Sequence, residues 1–134
     1  MNRKRMEDMI VRVIDLLNND TTGIVTKDKK IPSNYTGYVS SLGPTIVQSG
    51  LIQALAFMEA EKQRKKINDL FLKVLKGMNF IDESEKDNLF IIIKNKTQNK
   101  QRWIKDQWKS RILDLTTASK LAMKAFEKGE ESKE

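Results

Sequence analysis

The densest cluster of groups able to do acid–base or metal chemistry in this chain is Asp82, Glu83, Glu85 and Asp87. Carboxylates that close together could hold a divalent cation for nuclease chemistry. Their context favours another reading. Asp82-Glu-Ser-Glu85 has the spacing of a capping box with Asp82 as the cap, and acids at a helix start are favoured by the macrodipole. The 134 residues contain no histidine and no cysteine. Ser-His-Asp triads, thiol nucleophiles, imidazole ligands, thiolate zinc sites and disulfides are therefore all impossible. Nothing resembles a phosphate loop or a calcium loop. The expected sets of catalytic residues, metal ligands and cofactors are empty, and the chain reads as a non-enzyme.

The remaining chemistry is electrostatic. Lysine and arginine number 25 against 18 acids, a net charge of +7, which favours polyanionic partners. Its distribution is uneven. At 100° per residue, Lys62, Lys65, Lys66, Lys73 and Lys76 share one helix face, diluted only by Asp69. Arg102, Lys105, Lys109, Lys120 and Lys124 share a face of a second helix, away from Trp108 and Phe126. From Lys94 to Arg111 there are seven basic residues and one acid, Asp106. Folding alone puts charge on the outside of helices, but it does not require one sign. Two stripes of positive charge along helices point to phosphate contact. Trp103, beside Arg102 and off the apolar stripe, either completes a core edge or presents a ring to a base or a protein partner.

These residues need helices to carry them. Met6, Met9, Ile10, Val13, Ile14 and Leu17 place a first helix over Arg3 to Asn18. Turn residues Asn18 to Gly23 and a lysine-rich loop lead to Pro32, with Ser33 or Asn34 as the next N-cap. Between Lys30 and Glu59 no residue is charged, in a chain that is 32% charged overall. Thr45, Gln48, Ser49 and Gln53 interrupt this segment too often for a membrane span. Tyr35, Val39, Leu42 and Ile46 share one face; past Ile46 the pattern leaves a single face, which implies cover on most sides. Pro44 is expected to kink or break the segment, with helix resuming to about Ala60. Gly50 then falls inside a helix, where close packing is the expected reason for it. Further helices are expected through the stripe Ile67 to Met78, over Leu89 to Ile93, and from Gln101 to Lys128. The expected architecture is an all-α, compact bundle of five or six helices with a buried central helix kinked at a proline. It forms one domain over 1–134, fraying from about Gly129 into an acidic tail. The N-terminal residues lead into an amphipathic helix and not a signal core, so a cytoplasmic setting is expected.

Tyr38, Leu42, Pro44, Ile46, Gly50-Leu51 and Leu55-Ala56-Phe57 resemble the central-helix pattern of a known family. It is the small α-helical subunit of the Cmr (type III-B CRISPR) RNA-silencing effector complex. The likeness spans Tyr38 to Lys62. Gly43 separates Leu42 from Pro44 where the family has them adjacent, and the lysine after Phe57 comes one position late, at Lys62. Leu121-Ala-Met-Lys124-Ala-Phe126 stands where the family has a Trp-Leu-Lys-like run. The resemblance implies a subunit without a catalytic site that stacks with copies of itself beside larger backbone subunits. It also implies a groove for guide–target RNA, contacted through phosphates, with sequence read by the guide. A stand-alone helical nucleic-acid-binding regulator is the competing reading. It would need a tight pair of short helices with a polar reading helix, and no pair fits well.

Overall fold

The computed structural model describes residues 3–19 and 21–132, and six helices carry the described fold. Helix α1 spans Arg3–Asn18 and buries Met6, Met9, Val13 and Leu17. A loop containing buried Ile24 and Val25 leads to strand β1, Lys30–Pro32. Then come α2 (Ser33–Ser49), α3 (Leu51–Glu59), α4 (Lys62–Gly77), α5 (Leu89–Thr97), α6 (Arg102–Met123) and strand β2, Glu127–Gly129. Helix α6 packs on α1 and α2, while α4 packs on α1, α2, α3 and α5. Side chains of all six helices meet in one core, in which Tyr35, Phe71, Met9, Leu55 and Leu70 are among the largest members buried almost completely. Among the described residues no helix is long and apolar enough to cross a membrane.

The uncharged segment departs from expectation in two linked ways. Helix α2 runs on through Pro44, which lies on its exposed side. Water can there satisfy the Ser40 carbonyl that proline cannot bond. The break falls six residues later, at Gly50, where φ is 97° and ψ 157°, a conformation reserved almost wholly to glycine. Close packing does not explain that glycine. The nearest atoms to a Cβ built there belong to Gln53, three residues on, and not to another helix. The close approach of α2 to α6 is instead at Gly43, where a Cβ would stand 3.5 Å from the Thr116 hydroxyl oxygen.

Because Gly50 resets the helical phase, the segment is not covered on most sides. α2 buries Tyr35, Val39, Leu42 and Ile46, and α3 buries Ala54, Leu55 and Met58. Val47 is left 65% exposed and Phe57 58% exposed. Asn68 of α4, fully buried, donates to the Leu55 carbonyl and to a Glu59 carboxylate oxygen, 3.1 Å each, and so holds the end of α3.

The ends of the later elements also differ. Asp82 caps no helix: its carboxylate accepts from the Ser84 amide and hydroxyl in a local turn. Helix α5 starts at Leu89, capped by Asn88, whose side chain accepts from the Ile91 amide at 2.8 Å. Helix α6 stops at Met123, because Lys124, Ala125 and Phe126 tighten into three-residue turns and β2 pairs parallel with β1, Ile31 opposite Lys128. Neither Ser33 nor Asn34 caps α2; its cap position is Pro32. Asn34 works elsewhere, accepting from the Ser132 amide at 3.1 Å. Strand pairing ends at Gly129, and beyond it Ser132 is hydrogen-bonded to Asn34 and Gln63; Lys133 and Glu134 lie outside the described residues.

Two substitutions test this account. Gly50→Ala should destabilise the protein by about 1–3 kcal/mol, the strain of an L-residue in that region. Pro44→Ala should stabilise it by roughly 2 kcal/mol, the interior proline penalty less the entropy proline removes from the unfolded chain. Denaturant midpoints moving in the same direction for both would contradict the placement of the break.

Candidate nucleic-acid interface

The two basic helix faces look alike in sequence and differ in structure. On α4 most of the ammonium groups are committed to the protein. Lys66 donates to the Gly23 carbonyl at 3.1 Å and stands 5.8 Å from the centre of the Tyr35 ring. Lys73 donates to the Thr21 carbonyl at 2.8 Å, and Lys76 to the Glu85 carbonyl at 2.6 Å. Lys65 lies 3.6 Å from Glu59 and 3.7 Å from Asp69. These lysines fasten the loop after α1 and the turn before α5 onto α4. Lys62, at the start of the helix, is exposed.

On α6 the cations are not used this way. Among the described residues Lys105, Lys109, Lys120 and Lys124 make no ion pair or hydrogen bond through their side chains. Arg102, 93% exposed, is 3.8 Å from Asp106, a solvent-screened pair worth little. At 100° per residue the five cations fall in a sector of roughly 100°. Helix α2 interrupts that stripe along its length, since Thr116, between Lys109 and Lys120, is buried beside Gly43. Lys105 and Lys109 border a cavity beside α3 and α5, together with Lys94. Lys120 and Lys124 border another, about 290 Å³, beside Thr36 and Ser40 of α2, together with Lys128 of β2. The α6 stripe is therefore two clusters of unpaired lysines flanking an uncharged helix. Lys94 and Lys128 were not singled out in sequence: Lys94 comes from α5, and Lys128, expected at the end of the last helix, lies on β2.

The packing residues are placed as follows. Tyr38 belongs to a polar cluster: its hydroxyl donates to Gln63 Oε1 at 2.9 Å, and Asn34 Nδ2 donates to the same oxygen at 2.7 Å. Gln63, 5% exposed, donates in turn to the Ser132 hydroxyl at 3.2 Å. Arg64 lies across the rings of Tyr38 and Phe57, 4.7 and 4.9 Å from their centres. Leu42 is buried on α2, and Leu51 is half-buried at the start of α3. Trp103 is 62% exposed and its indole donates to Gln101. Trp108, by contrast, is 6% exposed and lies between Lys96 and Arg111. Arg111 also covers Phe80, and burial, with the nearby Arg5 adding to it, pushes its guanidinium below the ordinary value. Arg5 itself pairs with Asp114 and ties α1 to α6.

The acidic positions Asp82, Glu83, Glu85 and Asp87 are all exposed. The hydrogen bonds from Ser84 hold the Asp82 carboxyl below the usual carboxylate range, followed in effect by weaker attraction to Lys76 and Lys96.

Among known families, the one described as CRISPR-associated protein (Cas_Cmr5) matches residues 1–127. No curated protein and no solved structure matches the chain.

The contrast between the two faces has a direct test. Lys66→Met with Lys73→Met should speed amide hydrogen exchange in the 21–26 loop and lower the melting temperature. Lys120→Glu with Lys124→Glu should change neither, because those groups hold nothing in the fold. Unchanged loop exchange in the first pair would mean that its contacts are incidental.

Proposed function

The chain belongs to the Cas_Cmr5 family of CRISPR-associated proteins, and from that premise we propose that it is a non-catalytic helical subunit of a type III-B (Cmr) RNA-guided complex in antiviral defence. It acts in the cytoplasm, beside backbone and large subunits and further copies of itself. Its α6 face lies against the guide–target RNA and contacts phosphates. The observation that carries this reading is the row of α6 lysines, which have no partner among the described residues, set against α4 lysines that do. Unpaired cations bordering uncharged surface attract a polyanion without reading its bases. The uncharged exposed side of α2 and α3, with Val47 and Phe57, suits contact with a neighbouring subunit, since docking there buries no unpaired charge. Stacking of copies would align the lysine clusters and raise the effective concentration of contacts that are weak singly.

The test is reversal of Arg102, Lys105 and Lys109 to glutamate. The helical circular dichroism signal should persist, since all three lie off the core. Affinity for single-stranded RNA should fall, and the slope of log affinity against log salt should become less steep by about 2, near 0.7 for each lost phosphate contact. Base preference should not change. RNA binding unaltered in both the free subunit and a reconstituted complex would leave this face merely solvated.

Catalysis gives a second test. The purified protein, with or without magnesium or manganese, should leave RNA and DNA intact. Cleavage that survives re-purification and is lost on mutating Asp82 or Glu85 would overturn the non-catalytic assignment.

A further inference from the structure

The cavity at the N-terminal half of α6 is larger and chemically more varied than phosphate contact requires. Its volume is about 370 Å³, within the range of roughly 300–1,000 Å³ typical of small-ligand sites. Its apolar wall is Leu51 and Ile52, the half-buried first residues of α3. Lys94 approaches from α5, and Lys105 and Lys109 from α6. No ion pair or hydrogen bond to another described residue engages any of these ammonium groups. The one acid on the rim, Asp106, has Arg102 beside it. Gln53 and Gln98 add two side-chain amides, both exposed and without hydrogen-bond partners among the described residues.

We propose that this cavity is a site for one nucleotide, an unpaired unit of an RNA chain. Leu51 and Ile52 cover the base, Gln53 and Gln98 meet its polar edge, and the lysines hold the adjoining phosphate. The combination is what selects this ligand class. Inorganic phosphate would use the lysines and leave the apolar wall wet, while an apolar ligand would leave three cations bordering it unpaired. An amide offers both donor and acceptor, so it can pair with the edge of any base. The inference rests on the proposed RNA contact of α6, and it adds that one unit leaves the stack there and enters the protein.

Isotope-labelled protein would be titrated with AMP, UMP and inorganic phosphate while amide chemical shifts are followed. Affinity for a labelled single-stranded RNA would be measured in parallel by fluorescence anisotropy. Both nucleotides should saturate with shifts centred on residues 51–53, 94–98 and 105–109. Phosphate should bind at least about tenfold more weakly, and RNA should displace AMP. Gln53→Trp, which fills the cavity from an exposed position, should weaken AMP by about tenfold. Lys120→Glu with Lys124→Glu should weaken RNA and leave AMP untouched. Should Gln53→Trp disturb the fold, Lys94→Glu, also exposed, serves the same purpose.

Phosphate binding as tightly as AMP, or shifts centred elsewhere, would overturn the site. Displacement of AMP by an acidic peptide more readily than by RNA would assign the cavity to a protein partner and overturn it equally. Failure of RNA to displace a well-bound AMP would assign it to free nucleotide and not to RNA. Salt-dependent RNA binding with no nucleotide response would sink this inference and leave the proposed function standing. Absence of RNA binding under all salt conditions would sink the proposed function and, with it, the assignment of this cavity to RNA, even if AMP still binds.

Discussion

At Gly50 the backbone adopts a φ of 97° with a ψ of 157°, where any β-carbon is crowded. The positions of most other features follow from that one residue. A helix continuing unbroken from Ser33 to Glu59 would be roughly 40 Å long, more than a bundle of this size can cover. The break instead returns the chain, so that α3 lies against α4 and α5. Asn68 then receives the end of α3, and Leu51 and Ile52 come to face the first turns of α6. Val47 of α2 and Phe57 of α3 remain exposed because each helix buries only one face. A single special dihedral pair thus produces both the core and the uncharged surface outside it.

How much of this could be read from the residues depends on the range of the interaction concerned. Helix α1 matches its expected span, because its apolar spacing is regular and nothing distant modifies it. The number of helices and the absence of charge between Lys30 and Glu59 were equally plain. The bend was misplaced, since proline is the stronger local signal, yet proline on an exposed helix side loses only a bond that water replaces. The cap at Asp82 failed for a similar reason: Ser84 two residues on captures its carboxylate first. The pairing of β1 with β2 carries no alternation to detect in three residues.

The lysines show the limit most clearly. Lys66 and Lys105 are both cations on amphipathic faces, and nothing near either in sequence tells them apart. What separates them is a carbonyl 43 residues away in the chain, that of Gly23, which only the fold brings within reach of Lys66. Positive charge in this protein therefore has two uses. On α4 it secures loops through backbone carbonyls, as Lys66, Lys73 and Lys76 do, and pairs with acids, as Lys65 does with Glu59 and Asp69. On α6 Lys105, Lys109, Lys120 and Lys124 border two cavities without an ion pair or hydrogen bond to another described residue, and Asp106, beside Arg102, is the one acid on either rim.

The two indoles differ in surroundings as sharply as the two sets of lysines. Trp108 is enclosed between Lys96 and Arg111, whereas Trp103, five residues earlier on the same helix, stands 62% open to water. The protein thereby carries two intrinsic optical reporters in different surroundings. Trp103, being exposed, should emit further to the red and be open to soluble quenchers; Trp108, being buried, should emit further to the blue and be shielded from them. Docking onto the start of α6 would shift the red component alone, while loss of the core would move the blue one. One emission spectrum can thus tell assembly from unfolding without a label.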